Sequence, residues 1–115
     1  MAENFASERV EAAVKSFHNP YSCAQAVYAA FAGIPSAETL AQYKAASGGR
    51  CEGGFCGALY AARAFVPEKN RAVLDEYFAK NVGALRCREI KTMAKTPCAD
   101  CVKFAAQGVE MFKDA

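Results

Sequence analysis

The sequence predicts an all-α protein: one compact bundle of irregular topology, built from six or seven short helices and occupying residues 1–115 as a single domain. Alanine is abundant and apolar residues recur at spacings of three and four, as a helix with one buried face requires. The period-two alternation of β-branched residues that marks a half-buried strand is absent. Prolines and glycines punctuate the chain closely, so the connections are short, and neither a fixed-period repeat nor a long linker interrupts the series.

The first helix is expected over about Ser7 to Phe17, with Val10, Ala13, Val14 and Phe17 on one face and Phe5 able to pack near its start. Asn19-Pro20 ends it, because the residue before proline is steered out of the helical region. The second runs from Ser22, a suitable N-cap, to Ala32, with Gly33 as its stop. The third covers Ser36 to Ser47, capped by Ser36, with Leu40, Tyr43 and Ala46 inward. Gly48-Gly49 then opens a loop through Gly57 that holds five of the eight glycines. Such a loop can bring its backbone close to a bound group, and Gly53, Gly54 and Gly57 are the residues expected to do so.

That loop feeds a fourth helix over Phe55 to Phe65. A fifth, Glu68 to Asn81, turns Val73, Leu74, Tyr77 and Phe78 inward and closes at Gly83. A short sixth is expected over Leu85 to Met93. The seventh takes Thr96 as N-cap, Pro97 as first helical residue and acidic Asp100 in its first turn, then continues through Val102, Phe104, Ala105, Val109 and Phe112.

Composition narrows the function classes. Hydrophobic residues make up 53% of the 115 and charged residues 23%, which fits a globular domain able to bury a core without cross-links. A net charge of +2, dispersed along the chain, gives no electrostatic footprint for nucleic acid. No apolar run reaches the roughly 18 residues of a membrane span, and Met1 to Glu8 lacks the basic and apolar regions of a signal peptide. A cytoplasmic, soluble protein is the expectation, and in that reducing compartment cysteine more often ligates or reacts than forms permanent disulfides.

The six cysteines therefore carry the functional reading. Cys23, Cys56, Cys87 and Cys98 all fall in the expected first turn of a helix, where unpaired N–H groups and the helix dipole favour a thiolate. The plain alternative is that they are small apolar core residues, but core placement alone gives no reason to favour first turns. Cys51-x4-Cys56 and Cys98-x2-Cys101 could together hold a tetrahedral zinc ion. Cys98-Ala99-Asp100-Cys101 also has the spacing of a thioredoxin-like dithiol, without the βαβ context that would support one. An iron–sulfur cluster needs about four thiolates from loops and helix starts, although these spacings match neither common ferredoxin pattern.

Other residues are read more simply. His18 is best placed to cap the first helix, with ligation or proton transfer near Cys23 as the alternative. Glu52 is a solvated loop residue or a proton donor beside Cys51, and the tyrosines and phenylalanines are core. Arg86, Arg88, Lys91 and Lys95 form a solvated face or a docking patch for an acidic redox partner.

Cys23-Ala24-Gln25-Ala26-Val27 after Asn19-Pro20-Tyr21-Ser22, the glycine loop leading to Cys56-Gly57-Ala58, Cys87-Arg88-Glu89-Ile90 and Cys98-Ala99-Asp100-Cys101-Val102 resemble the family named C-GCAxxG-C-C. The resemblance spans about Phe17 to Phe112. It implies a small prokaryotic protein, redox-active through Cys23, Cys56, Cys87 and Cys98, with Cys51 and Cys101 as additional residues. One position departs from the pattern, since Ala61 stands where glycine is expected. Related sequence accompanies haem domains in some electron-transfer proteins, with iron–sulfur binding suggested. This chain has no Cys-x-x-Cys-His, so no covalent c-type haem is expected.

These observations lead to a helical redox protein whose Cys23, Cys56, Cys87 and Cys98 converge in one pocket and exchange electrons with a partner protein. Ligation of a metal or iron–sulfur cluster is placed ahead of a bare dithiol/disulfide couple. In the dithiol form Cys56 is the expected nucleophile, resolved by Cys23 or Cys98. The rival is a structural zinc protein that docks a partner without redox turnover, using Cys51, Cys56, Cys98 and Cys101. No acid–base or phosphate-binding constellation supports full substrate turnover.

Overall fold

A computed structural model describes residues 8–17, 21–33, 36–47 and 54–113. They form seven α-helices: α1 Glu8–Ser16, α2 Cys23–Ala32, α3 Ala37–Ala46, α4 Gly57–Arg63, α5 Arg71–Val82, α6 Cys87–Glu89 and α7 Cys98–Phe112. A 3-10 turn, Glu68–Asn70, leads into α5, and a π-helix, Ile90–Ala94, continues α6. Among the described residues there is no strand, only isolated bridges joining Phe17 to Tyr21 and Phe55 to Arg86. The all-α bundle agrees with the sequence. No helix of the described residues is long and apolar enough to cross a membrane. His18, Cys51, Glu52 and Gly53 lie outside the described residues, and so do the readings made for them.

The longest helix, α7, is the centre of the bundle and packs against α1, α2, α4 and α5. Its Val102, Ala105, Ala106 and Val109 are completely buried, in the i, i+3, i+4, i+7 pattern of an inward face. Leu59 of α4, Val27 of α2 and Leu74 and Phe78 of α5 meet that face. Burying each such side chain contributes about 1.5–3 kcal/mol, so these residues hold the helices on which the site is built.

Local chemistry sets the helix ends. At α2, Ser22 and Gln25 form a capping box: the Gln25 N–H donates to Ser22 Oγ at 3.4 Å and the Ser22 N–H donates to Gln25 Oε1 at 2.9 Å. Gln25 is buried and also donates through Nε2 to the Leu40 carbonyl at 2.7 Å, tying α2 to α3. Ser22 and Ser47 share a hydrogen bond at 2.8 Å, which pins the start of α2 to the end of α3. Gly83, at φ 108°, ends α5 in the left-handed region as expected.

Several boundaries differ from the sequence reading. The fourth helix starts at Gly57 and ends at Arg63, because Phe55 instead makes a β-bridge to Arg86. The expected sixth helix is one α turn that widens into the π-helix and stops at Lys95, a non-glycine residue at φ 57°. Thr96 does not cap α7: its hydroxyl donates to the Val82 carbonyl at 2.6 Å, and Pro97 takes the N-cap position. Val73, expected inward, is 44% exposed, since the inward stripe of α5 passes through Leu74, Phe78 and Val82.

Candidate functional site

Three of the expected cysteines, Cys23, Cys87 and Cys98, are the first residues of α2, α6 and α7, and Cys56 is the N-cap of α4. All four line one cavity of about 40 Å³, together with Cys101, Gly57, Ile90 and Lys91. Five sulfurs from four chain segments therefore face the same small space. At roughly 10–15 Å³ for one water-sized group, it has room for about three.

Backbone contacts explain the convergence. The Cys56 N–H donates to the Leu85 carbonyl at 2.9 Å beside the Phe55–Arg86 bridge, which sets Cys56 next to the segment that begins at Cys87. The guanidinium groups of Arg63 and Arg86 lie 5.1 and 5.8 Å from the centre of the Phe55 ring and hold that bridge from two elements. Cys23 is brought in from the other side by close contact between α2 and α4. A methyl on Gly57 would stand 2.8 Å from Cys23 Sγ and 2.9 Å from Ser47 Cα, so only a residue without a side chain fits there. Gly57 thus admits a neighbouring helix, and it also lines the cavity, where the sequence expected it to approach a bound group. Gly54, at φ 72°, makes the turn before the bridge and does not line the cavity. Ala61 is fully buried on α4.

The sulfurs differ in environment. Cys56 and Cys101 are 5% and 2% exposed, Cys23 and Cys87 are half-buried, and Cys98 is exposed. Cys56 makes side-chain hydrogen bonds with both Cys101 and Cys23. Its bond to Cys101 holds the Cys56 proton and, with burial and the neighbouring Cys101 charge, pushes the thiol up to about 12 against the pull of Cys23 and the Leu59 backbone. Burial also raises Cys87, and the Lys91 ammonium pulls it back. The expectation of a thiolate-prone, accessible Cys56 is therefore overturned. Low-dielectric burial and a sulfur partner outweigh the partial charge at the start of a seven-residue helix.

Cys101, treated as additional in the sequence, belongs to the wall of the cavity. Its signal was present in the period Cys101, Ala105, Gly108, which places it on the inward face of α7. Lys91, read as part of a solvated face or docking patch, is exposed, and among the described residues it is also the charged one that lines the cavity. The π-helix brings it there beside Ile90. No disulfide joins the described cysteines. Among the described residues, no group of three or more His, Cys, Asp or Glu is set to hold a metal ion.

Compared with models of known families, with curated proteins and with solved structures, the chain matches none.

Proposed function

We propose that this is a small redox protein of the cytoplasm whose working part is the sulfur-lined cavity, used as a dithiol/disulfide site for electron transfer with a partner protein. The observation that carries this reading is the meeting of Cys23, Cys56, Cys87, Cys98 and Cys101 around one space of about 40 Å³. The hydrogen bonds of Cys56 with both Cys23 and Cys101 support exchange among sulfurs, since they set thiols side by side in one cavity. The resemblance to C-GCAxxG-C-C proteins agrees with redox activity at these positions.

Ligation of a metal or iron–sulfur cluster by Cys23, Cys56, Cys87 and Cys98 is the second reading. It is favoured by number, since a couple needs two sulfurs and this cavity has five, and by the delivery of those four from helix starts. As the side chains stand, no group of three or more His, Cys, Asp or Glu among the described residues is set around one ion, which places this reading second.

Anaerobic purification followed by iron, sulfide and zinc analysis and thiol titration decides between the forms. Colourless, metal-free protein that loses a pair of thiols on mild oxidation supports the dithiol site. Iron with sulfide would replace it with the ligation reading. Stoichiometric zinc that survives replacement of both Cys23 and Cys87 would point instead to a structural site on Cys51, Cys56, Cys98 and Cys101.

A further inference from the structure

We infer that Cys56 and Cys101 form the inner redox couple of this site and that the exposed Cys98 is the outer thiol through which a small-molecule disulfide oxidises it. This rests on the dithiol form of the function proposed above. Accessibility separates the roles: Cys98 is exposed, whereas Cys56 and Cys101 are 5% and 2% exposed and cannot meet a reagent directly. Contact joins them in series. Cys98 and Cys101 are three residues apart on α7 and line the same cavity, and Cys101 is hydrogen-bonded to Cys56. Residues at that helical spacing are neighbours, with about 5–6 Å between their Cβ atoms.

The exchange balances without any further reactant. The Cys98 thiolate attacks a disulfide RSSR, forming a Cys98–SR mixed disulfide and releasing one thiol RSH once the leaving sulfur takes up the Cys98 proton. Cys101 then attacks the Cys98 sulfur and expels the second RSH, which carries off the Cys101 proton. Cys56 attacks the Cys101 sulfur of the resulting Cys98–Cys101 bond, and its proton returns to Cys98 as that sulfur leaves. In sum, the Cys56 and Cys101 thiols are oxidised to one disulfide, RSSR is reduced to two RSH, and Cys98 is regenerated as a thiol.

The test uses the full chain, purified reduced, and dithiodipyridine as the disulfide, with the released thiopyridone followed by absorbance and the product mapped by peptide mass. Given one equivalent of dithiodipyridine, wild type should release two equivalents of thiopyridone and yield a Cys56–Cys101 bond. Cys98→Ser should slow formation of the Cys56–Cys101 bond at least about tenfold, because those two buried thiols then react only through local opening. Cys101→Ala should stop the reaction after one equivalent, with the mixed disulfide on Cys98. Limiting iodoacetamide on the unaltered protein, which needs no variant, should label Cys98 before Cys56 and Cys101. An unchanged rate in Cys98→Ser, labelling of Cys56 first, or a mapped bond between Cys23 and Cys87 would overturn the relay while leaving a dithiol site. If wild type forms no internal disulfide at all, or carries iron and sulfide, the dithiol reading falls and the relay with it.

Discussion

Replacing Gly57 with alanine tests how Cys23 is brought to the cavity. The added methyl would lie 2.8 Å from Cys23 Sγ, 2.9 Å from Ser47 Cα and 3.3 Å from Ala24 Cβ, where ordinary contact is 3.4–4 Å. Two of these neighbours sit on α2 and one is backbone at the end of α3. The Ser22–Ser47 hydrogen bond locks those two elements together, so relief requires α4 to move away from both. Overpacking of this kind destabilises by about 1–3 kcal/mol, while exchanging glycine for alanine in a helix returns up to about 1 kcal/mol. A net loss of roughly 1–2 kcal/mol should lower the melting midpoint by about 5–15 °C for a chain of this size. Thermal melts followed by far-ultraviolet circular dichroism, on the reduced protein, measure it. The same series with Cys23→Ala isolates the sulfur contact: removing Sγ should be less damaging in the Gly57→Ala background than in wild type. A Gly57→Ala protein that melts at or above the wild-type temperature would refute the close approach, and strict additivity with Cys23→Ala would refute the part assigned to that sulfur.

Two further outcomes are expected. Cys56 holds its proton to about 12, against an ordinary 9.0, and Cys87, Tyr43 and Tyr77 are raised as well, chiefly by burial. Groups raised in the folded state give their full stability below the unfolded value and lose it as pH climbs through the folded one. The urea midpoint of reduced protein should therefore fall between about pH 9 and 12, and Cys56→Ala should flatten that fall. Lys95→Gly relieves a left-handed residue at φ 57° and should stabilise the fold by about 1 kcal/mol, seen as a melting point a few degrees higher.

What the sequence made legible was the position of helix starts. Ser22 with Gln25, Ser36 with Thr39 and Gly83 carry their capping chemistry in the residue types, so the first turns at Cys23, Cys87 and Cys98 could be located and their sulfurs expected to converge. What was not legible depended on tertiary neighbours. The pairing of Cys56 with Cys101 arises where α4 meets α7, and the raised Cys56 thiol follows from that meeting rather than from its place beside a helix. Nor does any residue in Ile90–Ala94 announce a π-helix, since its wider hydrogen bonding leaves no distinct side-chain pattern. Thr96 shows the same limit at small scale: its type suits an N-cap, but the Val82 carbonyl lies within reach and takes its hydroxyl.

The contact between Cys56 and Cys101 also joins points far apart along the chain, at the head of α4 and in the first turn of the central helix. A covalent bond there would enclose α4, α5, α6 and the π-helix in a ring of about 45 residues, for which loop-closure entropy gives about 4 kcal/mol of added stability in the chain-entropy model. Oxidation and unfolding are then linked equilibria. With that bond formed, resistance to heat would become a gauge of electron count, and a partner that took up electrons from the thiols would tighten the fold that released them.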